Sequence, residues 1–334
     1  MARLPDWSAD YPPEKDVLEH LFDLPTLIAE ESAPVLIRED FILADRHAPP
    51  EPERLPWAPD IPFRFIEING MRLRYIAVGT GQPLVLLHTL RTQLDIFEPM
   101  LPALAKAFTV YALDFPGHGY SDAPAARYDA SFFSAAVEAF LDRLDLHDVT
   151  LAGISIGGVI PLILAARHNS RLRRVVAINP YDYGHGLGLA RGSVFGFVVT
   201  HTARVPIFGD IIIPLAPHWL VHRVLDGGVA DRKHLSRAFA DAIYSAEKRP
   251  GQSQAFITLL RNAQSWQDAQ ADYNRIDRPV LLIWSDHDWS RPKERARTAA
   301  LIPGVVSKSI SRGGHFLSLD QPDALNRLII EFAT

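Results

Sequence analysis

A serine between two glycines is the residue in this sequence whose surroundings best suit covalent chemistry. Gly153-Ile154-Ser155-Ile156-Gly157 matches the pattern G-x-S-x-G, which holds a serine on a sharp turn between a strand and a helix. Glycines two residues before and two residues after the serine are needed because side chains there would collide across the turn. The pattern therefore predicts that Ser155 is a nucleophile at the carboxyl edge of a sheet.

A serine hydroxyl needs a base, and a histidine near the end of the chain suits that part. His315 follows two glycines, whose lack of side chains lets the loop bring the imidazole close to its target. It also lies between a predicted strand at 305–310 and a predicted final helix at 321–332. These positions predict that His315 takes the proton of Ser155.

An acid must orient that histidine and hold its tautomer, and three aspartates are candidates. Asp288 lies four residues beyond a predicted strand at 279–284, far enough along the loop to reach His315. Asp286 lies two residues closer to the strand, where it suits shaping the turn. Asp182, just after an earlier strand, is the third candidate. We favour Asp288 because of its reach.

The elements that must position these side chains alternate between strands and helices from residue 62 onwards. Phe63–Ile68 and Met71–Val78 flank Asn69-Gly70, which predicts a hairpin with a type I′ turn. Further strands are predicted at 83–88, 109–114, 149–154, 175–179, 279–284 and 305–310, and helices at 94–108, 131–144, 156–168 and 321–332. Solid apolar strands that alternate with helices predict an α/β fold, with a mostly parallel sheet between helices and an antiparallel hairpin at one edge.

Two segments interrupt this alternation. Residues 1–60 hold ten of the 26 prolines and are predicted to form an extended N-terminal extension. Residues 181–275 have mostly helical patterns and predict a helical cap inserted between two strands of the sheet. Residues 61–180 and 276–334 are thereby assigned to the core.

Taken together, these motifs resemble the α/β-hydrolase superfamily. The resemblance rests on His88 at the end of the third strand, the segment DFPGHGYS at 114–121, the turn at Ser155, Asp288, and Gly314-His315-Phe316. The chain order of serine, aspartate and histidine agrees as well. The resemblance runs from about residue 63 to the end of the chain, and it implies a triad of Ser155, Asp288 and His315 without indicating the substrate.

Two backbone donors are expected to bind the oxyanion of such a reaction. Ile156, directly after the nucleophile, should supply one N–H, and Thr89 or Leu90 should supply the other. Members of this superfamily usually have glycine where this chain has Thr89, and a β-branched residue disfavours positive φ. The loop is therefore expected to follow another path, and the choice between Thr89 and Leu90 stays open.

Four residues are candidates for substrate binding. Arg91, in the same loop, could pair with a carboxylate of the substrate or with an acidic residue of the protein. Phe195, Ile212 and Trp219 belong to a strongly apolar stretch of the predicted cap. They either pack within the cap or form an apolar wall over the serine.

Composition limits the remaining classes of function. The 334 residues include 34 basic and 39 acidic ones, and the resulting net charge of −5 does not favour nucleic-acid binding. The absence of cysteine excludes disulfides, thiolate metal sites and a cysteine nucleophile. The sequence shows neither a long uncharged apolar run nor an apolar leader, so we expect no membrane span and a cytoplasmic location.

The sequence thus predicts a serine hydrolase without cofactor or metal, most simply a carboxylesterase that cleaves esters with an apolar acyl or aromatic part through an acyl-enzyme. Thioesterase, lactonase, carbon–carbon bond hydrolase, acyltransferase and perhydrolase chemistry are open alternatives. A ligand receptor built on a hydrolase fold is an alternative of another class. The expected partner is a small-molecule ester, and a homo-oligomer is left open.

Overall fold

A computed structural model describes residues 60–334, so the predicted N-terminal extension lies almost entirely outside the described residues. One sheet of eight strands organises this part of the chain, in the order β1-β2-β4-β3-β5-β6-β7-β8. The strands are β1 (Phe63–Ile68), β2 (Met71–Val78), β3 (Gln82–Leu87), β4 (Phe108–Leu113), β5 (Val149–Ile154), β6 (Leu172–Ile178), β7 (Val280–Ser285) and β8 (Val306–Ile310).

The directions of the strands confirm the predicted α/β architecture. β2 pairs antiparallel with β1 and with β4, and every other pair in the sheet is parallel. Asn69 and Gly70 have φ of 53° and 76°, the two positive values that a type I′ turn requires. β5 and β7 are buried along their whole length, which explains their continuous apolar sequences.

Helices flank the sheet and fill the long connection between β6 and β7. They are α1 (Leu101–Leu104), α2 (Ala130–Arg143), α3 (Ile156–Ala166), α4 (Leu189–Gly192), α5 (Val194–Arg204), α6 (Phe208–Ile212), α7 (His218–Asp226), α8 (Arg237–Glu247), α9 (Gln252–Arg261), α10 (Gln264–Asp268), α11 (Pro292–Leu301), α12 (Leu317–Asp320) and α13 (Pro322–Ala333). Residues 181–275, called the helical insertion below, contain helices α4 to α10 and no strand. Within residues 60–334, no helix has the length and apolar character to cross a membrane.

The predicted helix at 94–108 is wrong. The chain instead forms a 3-10 turn at Leu94–Phe97, the single-turn helix α1 and then strand β4, which begins at Phe108. Pro99 and Pro102 explain the difference, because proline has no N–H to donate and is disfavoured beyond the first turn of a helix. The apolar spacing of this segment reflects burial against the core and not a continuous helix.

Candidate active site

The turn between β5 and α3 holds Ser155 in an unusual backbone conformation. Its φ of 61° and ψ of −120° lie in a region that residues with side chains rarely adopt. The N–H of Ser155 donates to the carbonyl of Ile178 at 2.9 Å, which ties the turn to the end of β6. The hydroxyl is buried and has no hydrogen-bond partner among residues 60–334. A strained, unpartnered polar group of this kind is typical of a functional site.

The two glycines of the motif are required by contacts across the turn. A Cβ on Gly153 would lie 2.0 Å from the carbonyl oxygen of Gly157. A Cβ on Gly157 would lie 2.3 Å from the carbonyl oxygen of His88 and 2.4 Å from that of Leu87, at the end of β3. These distances are far below van der Waals contact, so the elbow and the loop after β3 can approach only because the side chains are absent.

Gly157→Ala is expected to destabilise the protein by about 1–3 kcal/mol or more, because the new methyl group meets backbone that cannot rotate away. Gly158→Ala is the matched control, since its Cβ would lie no closer than 3.0 Å to any neighbour. Urea unfolding of both variants measures the difference. Equal free energies of unfolding for the two variants would contradict the close approach.

His315 and Asp288 form a buried pair beyond the ends of β8 and β7. The Nδ1 atom of His315 lies 2.5 Å from Oδ1 of Asp288, and both side chains are completely buried. Because an ionised carboxylate only accepts, Nδ1 carries the hydrogen and Nε2 presents its lone pair. Nε2 is buried and has no hydrogen-bond partner within the described part of the chain. The pair therefore offers an oriented, unoccupied base.

Two neighbours that sequence reasoning missed hold this pair in place. Trp289 stacks on the ring of His315 with 3.7 Å between centroids and 11° between planes. Ser290 donates to Oδ2 of Asp288 from both its N–H and its hydroxyl. Although burial alone would raise the pKa of Asp288, His315 and these hydrogen bonds lower that pKa below its ordinary value. Asp288 is thereby kept ionised, as the orientation of His315 requires.

Tyr181 and Asn179 link the serine turn to the histidine loop. The N–H of Tyr181 donates to the carbonyl of Ser155 at 3.2 Å, and its ring meets the ring of His315 edge-on at 6.2 Å between centroids. The side chain of Asn179 donates to the carbonyls of Gly314 and His315, each at 3.2 Å. No motif in the sequence pointed to these two residues, which follow β6 directly.

The other two candidate aspartates have different partners. Asp286 accepts from the N–H groups of Arg312 and Gly313 at 2.9 and 3.1 Å, so it holds the backbone just before His315. Asp182 is buried, and both of its oxygens accept from the hydroxyl of Thr298. The structure thus brings Asp288 to His315, and it engages Asp286 and Asp182 elsewhere.

Burial raises the pKa of Asp182 to about 7, against the hydrogen bonds that favour its ionised form. A carboxyl with a raised pKa adds stability that is complete below its ordinary pKa and disappears as the pH rises through the folded-state value. We therefore expect the free energy of unfolding to fall between pH 4 and pH 7, by at most about 4 kcal/mol from this group. Urea unfolding at several pH values should show this fall in the wild type and a flatter profile in Asp182→Asn. Parallel profiles would mean that Asp182 titrates normally.

The hydrogen bonds of the loop after β3 distinguish Thr89 from Leu90. Phe115 N–H donates to Nε2 of His88 at 2.9 Å, so Nδ1 of His88 carries the hydrogen and donates to the carbonyl of Thr89 at 2.7 Å. The N–H of Thr89 is itself engaged by the hydroxyl of Thr92 at 3.3 Å. In a trans peptide the N–H points opposite to the carbonyl, so Leu90 N–H points away from His88. This geometry favours Leu90, together with Ile156 at the start of α3, as oxyanion donors.

Comparison with known proteins identifies the family of this chain. A family model described as alpha/beta hydrolase fold matches residues 82–322. This chain belongs to the α/β-hydrolase family. It is 28% identical to the dihydrolipoyllysine-residue acetyltransferase component of the acetoin cleaving system of Cupriavidus necator, over 80% of this chain and 68% of that protein. It is 27% identical to the 2-hydroxy-6-oxo-2,4-heptadienoate hydrolase of Pseudomonas putida, over 80% of this chain and 95% of that protein.

Among solved structures, Cfl2 of Burkholderia cenocepacia shares the fold with this α/β hydrolase. The TM-score is 0.74 at 22% identity, over 84% of this chain and 99% of Cfl2. At that identity the likeness concerns the fold alone.

In the loop after β3 of this α/β hydrolase, the residue with a positive φ is Arg91 and not Thr89. Arg91 has a φ of 55°, whereas Thr89 keeps a negative φ as a β-branched residue should. The Arg91 guanidinium pairs with Glu247 of α8 at 2.6 and 2.8 Å and lies 4.5 Å from the ring centre of Phe256. Arg91 is therefore salt-bridged within the protein, and a substrate carboxylate would have to compete with Glu247.

The three apolar candidates are placed unequally. Trp219 is 58% exposed and Ile212 is 41% exposed, which does not fit an enclosed wall over the serine. Phe195 is partly buried and meets Trp219 edge-on at 6.0 Å between ring centroids. Ile212 and Trp219 thus belong to the outer surface of the helical insertion.

Three other histidines, His118, His218 and His222, have partners close to them in the fold. His118 lies beside the carbonyl of Pro116, and burial lowers its pKa to about 4. His218 pairs with Asp241, and His222 lies 3.5 Å from Asp226. Between residues 60 and 334, no group of three or more histidine and acidic side chains is arranged to hold a metal ion.

Proposed function

We propose that this α/β hydrolase is a serine carboxylesterase that acts through an acyl-enzyme. The observation that carries the proposal is a pair of buried atoms without partners, the Ser155 hydroxyl and Nε2 of the Asp288-bound His315. Leaving a buried polar atom unpaired costs about 1–3 kcal/mol. Other buried atoms are also unpaired among residues 60–334, but these two lie on the strained turn and on the histidine that Asp288 orients.

In the proposed reaction, the Ser155 oxygen attacks the carbonyl carbon of the ester while Nε2 of His315 accepts its proton. The N–H groups of Ile156 and Leu90 bind the oxyanion that forms. His315 then gives the proton to the departing alkoxide, which leaves as an alcohol. A water molecule, deprotonated by His315, attacks the acyl-enzyme; the acid is released as His315 returns the proton to the Ser155 oxygen. Asp288 stays ionised and stabilises the imidazolium in both steps.

Carbon–carbon bond hydrolysis is the second candidate. It is favoured by the similarity to the hydrolase of 2-hydroxy-6-oxo-2,4-heptadienoate, which is a keto acid and not an ester. A hydrolase that cleaves such a ketone must break a carbon–carbon bond. The same serine, histidine and oxyanion donors would act on a ketone carbonyl, so the substrate must decide between the two reactions.

The test compares purified enzyme on p-nitrophenyl esters of two to eight acyl carbons and on 2-hydroxy-6-oxo-2,4-heptadienoate. We expect saturable ester turnover that is lost in His315→Ala, with little cleavage of the keto acid. Faster cleavage of the keto acid than of every ester would replace the first proposal by the second. Saturable binding of an ester without product release would indicate a receptor and overturn both.

A further inference from the structure

Solvent-exposed apolar side chains are concentrated in one stretch of the helical insertion. Of the eleven large apolar residues exposed in the described part of the chain, ten lie between residues 194 and 219, and they are between 41% and 75% exposed. They are Val194, Phe197, Val198, Val205, Ile207, Phe208, Ile211, Ile212, Leu215 and Trp219, together called the apolar face below. The eleventh, Val306, lies on strand β8.

The exposed residues of α5 and its C-terminal end follow a helical spacing. Val194, Phe197, Val198 and Val205 recur at intervals that bring them to one side of a helix. The buried residues of the same helix, such as Val199 and Ala203, point to the interior. α5 is therefore apolar on the side that faces solvent as well as on the side that faces the protein.

The other exposed residues extend this surface over the neighbouring helices. α6 packs closely on α5, where a Cβ on Gly209 would lie 2.5 Å from the carbonyl oxygen of Thr202. The ring of Phe195 on α5 meets Trp219 on α7. Helices α5, α6 and the start of α7 are thus neighbours, so their exposed apolar side chains lie in one region of the surface.

The apolar face is larger than a monomer normally leaves to water. At roughly 100 Å² for each half-exposed large side chain, its ten residues present on the order of 1,000 Å². The largest apolar patch of an ordinary monomer is about 300–600 Å². A standard interface takes about 800 Å² from each partner. The apolar face alone therefore suffices for a stable association.

We propose that the apolar face is the interface of a symmetric homodimer, in which it packs against the same surface of a second copy. Its composition resembles the centre of such interfaces, with Phe197, Phe208 and Trp219 among its ten residues. A two-fold axis through the face lets each copy cover the apolar surface of the other, so neither copy needs a different partner.

Charge favours a second copy over a lipid surface. Only two charged residues, Arg204 and Asp210, lie between residues 194 and 219. Arg204 donates to the carbonyl of Leu260 at 3.0 Å, and Asp210 accepts from Arg261 at 2.9 and 3.0 Å. Helices that bind membranes usually carry several free basic residues beside their apolar side, for lipid phosphates. The apolar face has an uncharged centre instead, as expected of a protein interface.

Sedimentation equilibrium of the full-length chain between 1 and 100 μM tests this proposal. The wild type should approach twice the chain mass of 37.2 kDa. The double variant Phe208→Asp/Ile211→Asp should stay monomeric, with a dissociation constant at least 100-fold higher. Val306→Asp introduces one such carboxylate at an exposed apolar position outside the face and should remain dimeric. Circular dichroism and urea unfolding establish that each variant is folded.

A single cysteine gives a milder second measurement, because the natural chain has none. In Ile211→Cys, reaction of the thiol with a maleimide should slow at least tenfold as the protein concentration rises from 1 to 100 μM. Wild type that is monomeric at 100 μM overturns the proposal, as does a dimer unaffected by Phe208→Asp/Ile211→Asp. Monomeric wild type that floats with phosphatidylcholine vesicles would also overturn it and assign the face to lipid.

Discussion

Ser155→Ala is expected to lower kcat for ester hydrolysis by about four to six orders of magnitude, because no other group can form the acyl-enzyme. His315→Ala should cause a loss of similar size. The double variant should be little worse than either single one, since both residues act in the same step. Initial rates on a p-nitrophenyl ester measure all three losses.

Covalent labelling separates loss of the nucleophile from loss of the fold. A fluorophosphonate should label the wild type at Ser155, as peptide mapping shows, and should not label Ser155→Ala. Ser318→Ala is the matched control, because the hydroxyl of Ser318 is also buried and has no hydrogen-bond partner in the described part of the chain. Labelling of Ser155→Ala at another serine, or full activity in that variant, would refute the assignment.

The second large effect is expected at Asp288. Asp288→Asn should lower kcat by about 10⁴-fold, because the amide favours the wrong tautomer of His315 and cannot stabilise its cation. Asp182→Asn changes a carboxyl of similar size and burial that does not contact His315. We expect it to stay within about tenfold of the wild type, since its oxygens serve Thr298.

A titration of kcat/KM against pH for both variants completes this comparison. The Asp182→Asn profile should keep the shape of the wild-type profile. If Asp182→Asn loses activity by several orders of magnitude and Asp288→Asn does not, the acid of the triad is Asp182.

The sequence was sufficient to predict the sheet, and it singled out the His315–Asp288 pair that the structure brings together. Strands such as β5 and β7 are continuous apolar runs of six residues, and this short length distinguishes them from the surrounding helices. Glycines two residues on either side of Ser155 and directly before His315 singled out these two residues, because such glycines mark places where backbone segments approach closely. The sequence pattern predicts these turns because the residues that form each turn are neighbours in the chain.

The contacts that complete the site could not be predicted, because they join residues far apart in the chain. Arg91 and Glu247 are separated by 156 positions, so no spacing rule connects them. Trp289 is adjacent to Asp288, but its stacking on His315 depends on how two loops pack. The exposure of Ile212 and Trp219 was also hidden, since an apolar sequence does not show which side of a helix the rest of the protein covers.

The loop at 227–230 ties the helical insertion to the residues around His315. Trp289, which stacks on His315, donates from its indole N–H to the carbonyl of Gly227 at 2.8 Å. The N–H of Phe316 donates to the carbonyl of Gly228 at 2.6 Å. On the opposite side of the site, Arg91 anchors the oxyanion loop to α8.

The candidate base and the loop that carries Leu90 are thus both fastened to the helical insertion. We expect a displacement of this insertion to move both of them. We therefore expect substitutions in the helical insertion to alter substrate selectivity and turnover together. A new specificity would then require changes in the packing of the insertion as well as in the residues that contact the substrate.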